Sequence, residues 1–360
     1  MNRGGLETML MNYYRQMDRN KIQFDFMVHR DEEGHYDQEI LNLGGKIFRM
    51  PPIRPGNYSI YFDLLDEFFK EHREYKVVHS HNNENSSFVL KAAKKAGIPC
   101  RIAHSHLSDL GIDLKIPFRL YARYYLRNNP NNYFACSKKA GQWLFGKKIA
   151  NSKELRVLNN AVNVNEFKFD ETVRKNIRDQ LGIKDELVLG HIGRFNKQKN
   201  HEFLIEIFKN VHQKCPKALL LLIGEGNLRT SIEKKVANLG LSSHVRFLGI
   251  RSDVSNLMQA MDLFVFPSLF EGLPVVMVEA QAAGLKCIVS DEITKESDIT
   301  GRVEFISLNK SPDYWAKQIL FTSYEHADTS EYFKKNGYDS VTMADWLANF
   351  YKEYYSLEVK

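Results

Sequence analysis

One stretch of this 360-residue sequence combines a helix start with a carboxylate inside an apolar helix. Residues 270–284 follow a wholly apolar strand pattern, and Pro274 suits the first position of a helix. The unpaired N–H groups at such a start, with those of Gly272 and Leu273, predict a phosphate site. Glu279 lies among valines and alanines of this helix, and a buried carboxylate needs hydrogen-bond donors. Sugar hydroxyls are one source of donors, and a neighbouring helix N-terminus or basic side chain is the alternative.

A second stretch, residues 193–201, carries two cations between an apolar strand and a helical pattern. Arg194 can bind phosphate oxygens through two N–H groups, and Lys199 adds a compact positive charge. Asn200 is a suitable N-cap for the helix that follows. The two cations predict a site that balances a diphosphate and stabilises it as a leaving group. A solvated basic loop is the alternative interpretation.

Four histidines form two H-x-H pairs, each at the end of a predicted strand. They are His79, His81, His104 and His106. Alternate residues of a strand share a face, so the members of each pair point to the same side. The spacing allows a metal site, but no carboxylates stand nearby at ligand spacing and the chain has no D-x-D triplet. We therefore expect hydrogen-bonding or core histidines, and neither a metal ion nor another cofactor.

Two glycine pairs carry weaker signals. Gly4 and Gly5 lead into an amphipathic helix, where a phosphate or sugar can approach the backbone, and a plain turn is the alternative. Gly224 and Gly226 follow a leucine-rich strand but make up only half of a dinucleotide-binding fingerprint. Neither pair identifies a ligand by itself.

The elements that position these residues form two α/β modules in which apolar strand patterns alternate with helical patterns. The predicted strands are 24–28, 46–50, 76–81, 100–106, 132–137 and 155–159 in the first module and 188–193, 218–224, 245–249, 263–268 and 286–290 in the second. Because single cores and open sheets are limited in size, we predict two doubly wound parallel-sheet domains, 1–163 and 164–337, and a C-terminal helix, 338–360. The motifs fall at the carboxyl ends of strands, where such sheets bind ligands.

The composition excludes several classes of protein. Hydrophobic residues make up 43% of the chain and charged residues 26%, which argues against disorder. The four cysteines are scattered singly, as expected in a reducing cytosol. No stretch approaches the roughly 20 apolar residues of a membrane span, and no signal-peptide pattern follows Met1, so we expect a cytoplasmic protein. The net charge of +6 suits a phosphate-bearing partner, but no nucleic-acid-binding signature is present.

Together the motifs resemble those of the retaining glycosyltransferases of family 4, of the type that builds capsules and exopolysaccharides. In the family's order, the chain has G-R-F-x-x-Q-K-N-H at 193–201, G-x-G at 224–226, F-L-G at 247–249 and E-G-L-P-x-x-x-x-E at 271–279. With the initial Gly-Gly, the resemblance extends over essentially the whole chain. It implies the GT-B fold, in which two Rossmann-like domains face each other across a cleft and the C-terminal helix packs back on the first domain.

The resemblance also implies roles for residues in these motifs. The implied catalytic residues are Arg194, Lys199, His104 and Glu271. The implied donor-binding residues are Gly193, Gly272, Leu273, Glu279, Gly4, Gly5 and Gly226. In the family's pattern, Glu279 binds the ribose hydroxyls, Glu271 faces the donor sugar and His104 contacts that sugar near its anomeric carbon. The acceptor hydroxyl attacks from the face that the diphosphate leaves, with UDP as the implied nucleotide and no carboxylate nucleophile.

The chain departs from the family's pattern at two places. The family has a hydrophobic strand before the Gly-Gly turn, whereas this sequence begins directly before it. We therefore expect a groove in the first sheet, with unpaired backbone groups. Ala161 stands where relatives commonly have glycine, so we expect a different interdomain turn.

The acceptor and two rival functions stay open at this level. Basic residues four apart, which we call the basic stripe, are Lys115, Arg119, Arg123 and Arg127. The stripe predicts peripheral contact with an anionic membrane, and a solvated helix face is the alternative. We expect a nucleotide-sugar donor and a glycan or lipid-linked acceptor. The rivals are another GT-B enzyme, such as a nucleotide-sugar epimerase, and a non-catalytic partner subunit that binds nucleotide or glycan.

Overall fold

The structure, a computed structural model, describes residues 1, 4–54, 56–106, 116–271 and 273–356. The chain forms two compact units. Unit 1 comprises Met1–Ala161 and Ser340–Lys360, and unit 2 comprises Val162–Asp339. These boundaries fall about two residues from those predicted from the sequence.

Unit 1 alternates helices with parallel strands. Its strands are β1 (Phe26–Val28), β2 (Ile47–Arg49), β3 (Val77–Ser80), β4 (Cys100–Ser105), β5 (Asn132–Ala135) and β6 (Leu155–Val157). Its helices are α1 (Gly5–Gln16), α2 (Asp37–Asn42), α3 (Tyr58–Glu71), α4 (Ser86–Lys95), α5 (Ile116–Leu126), α6 (Lys138–Phe145), α7 (Lys147–Ala150) and α16 (Ser340–Ser356). The C-terminal helix α16 belongs to this unit because its Leu347 and Phe350 share a core with Met9 of α1 and Phe134 of β5.

The strands of unit 1 form two separate sheets. β1 pairs with β2, and β3 to β6 form a four-stranded parallel sheet in chain order. Within the described residues, no strand joins β1 to β3. A cavity of about 410 Å³ lies at this break, and its lining includes Phe26 and Val28 of β1 and Val77 and His79 of β3. The cavity lies where the sequence predicts a groove in the first sheet.

Unit 2 is built on a six-stranded parallel sheet in the order β12-β11-β10-β7-β8-β9. Its strands are β7 (Val188–Ile192), β8 (Leu219–Ile223), β9 (Val245–Gly249), β10 (Leu263–Phe266), β11 (Lys286–Ser290) and β12 (Val303–Ile306). Its helices are α8 (Val164–Phe167), α9 (Glu171–Gln180), α10 (His201–Lys214), α11 (Arg229–Asn238), α12 (Val254–Ala260), α13 (Val275–Ala282), α14 (Pro312–Phe321) and α15 (Ser330–Lys335).

Strand β8 illustrates how this sheet is buried on both faces. All five of its residues, Leu-Leu-Leu-Leu-Ile, are buried. Leu219, Leu221 and Ile223 pack in one core cluster, and Leu220 and Leu222 pack in the other. Successive side chains of a strand point to opposite faces, so helices must cover both sides of the sheet.

Most predicted strands are present with ends shifted by a few residues, but the sequence prediction missed β12. In the described sheet, β12 pairs only with β11, and its short apolar run is interrupted by Glu304, which lies 3.5 Å from Lys286. The predicted helix start at Pro274 is also one residue too early. Helix α13 begins at Val275, with Pro274 as an extended N-cap.

Candidate active site

Three strand ends of unit 2 come together at one edge of its sheet. Strand β7 lies between β10 and β8, and the three run parallel. The segments after them, residues 193–200, 224–226 and 267–274, therefore leave the sheet at the same edge. The Gly193 N–H donates to the Ile223 carbonyl over 2.9 Å, which fixes the start of the first segment beside the second. The sheet thus brings the predicted motifs of this unit together.

Two glycines allow the segments after β7 and β8 to touch. Gly224 has a φ of +136°, and a Cβ at this position would overlap the carbonyl oxygen of Gly193. A Cβ on Gly226 would overlap the backbone of Phe195. Any larger residue at either position would therefore push the two segments apart.

The predicted catalytic residues Lys199 and Glu271 form an ion pair. Lys199 Nζ lies 2.6 Å from Glu271 Oε1, and their side chains are 15% and 10% exposed. The ammonium also lies 4.5 Å from the centre of the Phe266 ring, which adds a cation–π contact. The pair places one cation and one carboxylate, each largely shielded from water, at the junction of the β7 and β10 segments.

Hydrogen bonds between these two segments hold the ion pair in place. The Leu269 N–H donates to the Gln198 carbonyl over 2.8 Å, and Gln198 Nε2 donates to the Phe270 carbonyl over 3.0 Å. Asn200 adopts a left-handed conformation with φ of +54° and donates from Nδ2 to the Pro267 carbonyl over 3.1 Å. The predicted side-chain cap by Asn200 is wrong, because this side chain bonds to the β10 segment and makes no cap hydrogen bond to α10.

Arg194 differs from its neighbours because its charge is exposed. Its guanidinium has no hydrogen-bond or ion-pair partner within the described part of the chain. It follows Gly193 on the loop that carries Lys199. An exposed guanidinium at a strand end can bind an anion without breaking an internal contact.

Glu279 is a desolvated carboxylate on α13. The residues beside it, Val278 and Ala280, are fully buried, and Glu279 itself keeps some contact with solvent. Desolvation by burial raises the pKa of Glu279 to about 7. Its carboxylate has no hydrogen-bond or ion-pair partner among the residues that the structure describes. The alternative partners expected from the sequence, a helix N-terminus or a basic side chain, are therefore not observed in that part of the chain.

The segment between Glu271 and α13 is only partly described. Gly272 lies outside the described residues, and Leu273 precedes the Pro274 cap. Sequence reasoning missed Ser268, which lies two residues after the end of β10 on the way to this segment. Its Oγ is buried and has no hydrogen-bond partner among the described groups. Its place after an apolar strand was the one signal that could have identified it.

The remaining predicted site residues lie in unit 1. Gly4 is the N-cap of α1, Gly5 is its first residue, and the Gly4 carbonyl accepts from the Thr8 N–H over 2.9 Å. His104 is fully buried in β4, and its Nδ1 lies 3.0 Å from His79 Nε2. Burial lowers the pKa of His104 well below its usual value, so the ring is neutral. Contact of His104 with a donor sugar stays a prediction.

The basic stripe is not a row of free cations. Lys115 lies outside the described residues, and Arg119 pairs over 2.5 Å with the buried carboxylate of Glu84. Arg123 lies over the Trp143 ring, 5.5 Å from its centre, and Arg127 lies 5.8 Å from the centre of the Tyr124 ring. The interpretation of this helix as a continuous cationic face is therefore wrong at Arg119.

The exposed face of α5 is instead largely aromatic. Its exposed large hydrophobic side chains are Leu120 (47%), Tyr121 (53%), Tyr124 (65%) and Tyr125 (45%). Tyrosines of this kind favour interfaces between apolar and aqueous phases. Across the described helices, none combines the length and apolar character of a membrane span.

Two family models match consecutive parts of the chain. The model described as Glycosyltransferase Family 4 matches residues 3–166, and the one described as Glycosyl transferases group 1 matches residues 173–340. The second match contains the strand ends, the ion pair and Glu279 described above.

The sequence is similar over nearly its whole length to the putative glycosyltransferase EpsF of Bacillus subtilis (strain 168). The two are 36% identical over 360 residues, which cover 98% of this chain and 94% of EpsF. An Escherichia coli protein named UDP-Gal:alpha-D-GlcNAc-diphosphoundecaprenol alpha-1,3-galactosyltransferase is 26% identical over 228 residues, covering 61% of this chain and 58% of that protein.

The fold is similar to that of Anabaena Alr3699/HepE, whose crystal structure is a complex with UDP. The TM-score is 0.77 at 18% identity, covering 98% of this chain and 96% of that one. A structure of the same Anabaena protein with UDP-glucose gives a TM-score of 0.75. The predicted fold class, GT-B with two Rossmann-like domains, is confirmed by this similarity and by the parallel sheets of both units.

Proposed function

Because the chain belongs to the family 4 glycosyltransferases, we propose that it transfers a sugar from a UDP-sugar to a glycan or lipid-linked acceptor in surface polysaccharide biosynthesis. One observation carries the proposal. At a single edge of the unit 2 sheet lie the Arg194 guanidinium and the Lys199–Glu271 ion pair, and helix α13, which follows the same edge, carries the Glu279 carboxylate; among the described residues, the Arg194 guanidinium and the Glu279 carboxylate have no partner. Each is suited to a different part of a nucleotide-sugar.

Glu279 suits the ribose of the donor. A carboxylate that is desolvated and has no described partner gains hydrogen bonds when two vicinal hydroxyls donate to it. Those bonds stabilise the charged form, so donor binding is expected to lower the pKa of Glu279 from about 7. The UDP-sugar would thereby supply hydrogen bonds that no described residue makes to Glu279.

The cations suit the diphosphate. Arg194 can bind phosphate oxygens through two parallel N–H groups. Lys199 is held by Glu271, so its ammonium can share its charge with a phosphate while the carboxylate keeps it in position. As the bond to the anomeric carbon breaks, negative charge moves onto the diphosphate and both cations stabilise it. Glu271 retains a second carboxylate oxygen that can accept from a sugar hydroxyl.

We propose retention of configuration and a diphosphate site that needs no metal ion. These two features follow from the family resemblance, in which the acceptor hydroxyl attacks from the face that the diphosphate leaves. In this chain, Arg194 and Lys199 supply positive charge of the kind that a metal clamp would otherwise provide. The same resemblance supports roles for Gly4, Gly5 and His104 in unit 1 near the reacting carbon.

The comparisons support the choice of UDP and of a lipid-linked acceptor. The Anabaena protein of similar fold binds UDP and UDP-glucose in its crystal structures, and the Escherichia coli relative is named for a UDP-galactose donor and a diphosphoundecaprenol acceptor.

We further propose that the enzyme works on the cytoplasmic side of the membrane, with the aromatic face of α5 in peripheral contact with lipid. Sedimentation with anionic liposomes tests this contact. The variant Tyr124→Ser with Tyr121→Ser should bind less, and equal binding would contradict it.

The function is tested by incubating the purified chain with radiolabelled UDP-glucose, UDP-galactose or UDP-N-acetylglucosamine. The acceptors are short polyprenyl-diphosphate sugars, and the products are separated by chromatography. We expect acceptor-dependent transfer from one donor, with the new linkage retaining the donor's anomeric configuration by NMR. Glu279→Gln should weaken donor binding, whereas Glu331→Gln, a change at an exposed glutamate of the same unit, should not.

Other outcomes would overturn the proposal in distinguishable ways. Nucleotide binding without transfer to any acceptor would support a non-catalytic partner subunit. Conversion of the donor into an epimer without an acceptor would support an epimerase. Equal UDP binding by wild type and Glu279→Gln would contradict the assignment of the donor site.

A further inference from the structure

Four histidine rings stack together at the ends of β3 and β4, and the proposed transfer reaction does not account for all of them. This histidine cluster consists of His79, His81, His104 and His106. Strands β3 and β4 are parallel neighbours, and the two residues contributed by each strand share a face. Ring centres within the cluster are separated by 4.1 to 5.1 Å for five of the pairs.

The ring nitrogens lie close to one another. His79 Nε2 is 3.0 Å from His104 Nδ1, and His81 Nδ1 is 2.9 Å from His106 Nε2. One ligand nitrogen from each of His79, His81 and His104 lies within 4.8 Å of the others. In a tetrahedral zinc site, Zn–N distances of about 2.0–2.1 Å place the nitrogens about 3.4 Å apart. The widest separation, up to 4.8 Å, would have to shorten by about 1.4 Å for the three nitrogens to bind one ion, and rotation of the imidazole rings can supply that movement.

Hydrogen bonding between the rings does not satisfy the cluster by itself. The two close contacts pair four of its nitrogens, but Nε2 of the fully buried His104 has no partner among the described groups. The surroundings also match those of metal-bound histidines. The Tyr351 hydroxyl lies 2.6 Å from His79 Nδ1 and thereby directs Nε2 of this ring into the cluster. At the end of β4, the backbone N–H of His106 donates to Asn83 Oδ1 over 2.8 Å, which fixes the main chain of this residue and not its ring.

An ion can reach the cluster from the cavity beside β1 and β3. His79 and His81 both line this cavity, which has a volume of about 410 Å³. Imidazole nitrogens without a carboxylate oxygen suit Zn²⁺, Co²⁺, Ni²⁺ or Cu²⁺ and do not suit Mg²⁺ or Ca²⁺.

We propose that the histidine cluster is a binding site in unit 1 for one divalent first-row transition-metal ion. The expectation from the sequence was that these histidines bind no metal, and this proposal replaces it. The ion would join the ends of β3 and β4 through side chains of both strands. His104 belongs both to this cluster and to the residues proposed to act near the reacting carbon, so the two proposals share one side chain. Metal binding is measured without donor or acceptor, and its failure would leave the proposed sugar transfer untouched.

The test uses the full-length chain without an oligohistidine tag, after treatment with EDTA. Co²⁺ is titrated in and followed by its visible absorption, and Zn²⁺ is then added in competition. We expect one equivalent of Co²⁺ per chain and its displacement by Zn²⁺. His81→Gln should weaken Co²⁺ binding by at least about tenfold. Removing a residue that merely hydrogen-bonds to a metal ligand already weakens metal binding by about 10–100-fold, so the loss of a ligand should cost no less. His212→Gln should leave it unchanged, since His212 contacts only one other histidine ring, His244, in the described structure.

A second variant keeps the test decisive if His81→Gln fails to fold. Tyr351→Phe preserves the buried ring of α16 and removes only the hydroxyl that contacts His79. It should weaken Co²⁺ binding by about 10–100-fold, as loss of such a supporting hydrogen bond does in metal sites. Absence of stoichiometric Co²⁺ binding by the wild type would overturn the proposal. Equal affinity in wild type and a folded His81→Gln variant would also overturn it.

Discussion

The substitution Glu279→Gln should stabilise the free protein while it weakens donor binding. The carboxylate has no partner among the described residues, and its desolvation raises the pKa to about 7 from the usual 4.5. A glutamine of the same shape removes the charge that the folded state disfavours. Stability and donor affinity change in opposite directions because the carboxylate gains stabilising hydrogen bonds only when the donor's hydroxyls are bound.

The magnitude follows from the difference between the folded and unfolded pKa values. Because the folded pKa is the higher one, the folded protein binds the proton more tightly, and its stability falls as pH rises from 4.5 to about 7. The destabilisation reaches about 3 kcal/mol at pH 8 and is only about 0.8 kcal/mol at pH 5. These are upper limits because Glu279 keeps some contact with water. Glu279→Gln should therefore raise the free energy of unfolding at pH 8 and have little effect at pH 5.

The affinity for the donor should depend on the same ionisation of Glu279. Below pH 7 the wild type must release a proton from Glu279 before the carboxylate can accept hydroxyl hydrogen bonds. Affinity for a UDP-sugar should thus fall about tenfold between pH 8 and pH 6, and this dependence should disappear in Glu279→Gln. A UDP-sugar is the suitable ligand because its diphosphate does not titrate in this range.

Thermal unfolding at pH 5 and pH 8 and calorimetric titration with UDP-sugar measure these effects. A domain of this size shifts its melting temperature by about 2–4 °C per kcal/mol, so the expected stabilisation at pH 8 is several degrees. A lower melting temperature for Glu279→Gln at pH 8 would refute the reasoning, since it would mean that the carboxylate has stabilising partners in the free protein. Wild-type donor affinity in the variant would refute the assignment to the ribose.

Two further substitutions address the diphosphate contact and the loop packing. Arg194→Ala should lower kcat about 10²–10³-fold with a smaller change in donor affinity, because negative charge on the diphosphate is greatest in the transition state. Lys197→Ala, at an exposed lysine of the same loop, is the control. If steady-state kinetics showed that Arg194→Ala and Lys197→Ala lower kcat equally, the role of Arg194 would be contradicted. Gly226→Ala should lower the free energy of unfolding by about 1–3 kcal/mol, because its Cβ would overlap the Phe195 backbone. Gly182→Ala adds a methyl group in open space, so only the positive φ of +59° at this position opposes the change, and chemical denaturation should show a smaller loss there.

Buried strands could be predicted from the sequence, whereas pairings between distant residues could not. Strand β8 is recognisable because a parallel strand covered on both faces is a continuous apolar run. The Lys199–Glu271 pair joins residues 72 positions apart, and it exists because β7 neighbours β10 in the sheet. Strand order is not encoded in any local pattern. The Arg119–Glu84 pair, 35 positions apart, joins α5 to the segment before α4, and packing between distant helical segments is likewise not encoded locally; the predicted stripe therefore counted a neutralised cation as free.

The contrast between two acidic residues of unit 2 shows how folding distinguishes structural charges from ligand-binding ones. Asp262 lies at the amino edge of the sheet, directly before β10, and its side chain is 13% exposed. It contacts Arg174 over 2.5 Å and accepts from the Val188 N–H over 2.7 Å. Asp262→Asn should therefore lower the free energy of unfolding at pH 8 by about 1–3 kcal/mol, because it removes charge-assisted hydrogen bonds.

Glu279 follows the carboxyl edge and has none of these partners in the described structure, so its neutralisation should have the opposite sign. Measured side by side by chemical denaturation, the two variants control for each other, since each replaces a carboxylate by its amide. Destabilisation by both would mean that Glu279 is already satisfied in the free protein and is not held for a ligand. Opposite signs would mean that the free protein does not stabilise the Glu279 carboxylate, as expected of a charge that is held for a ligand.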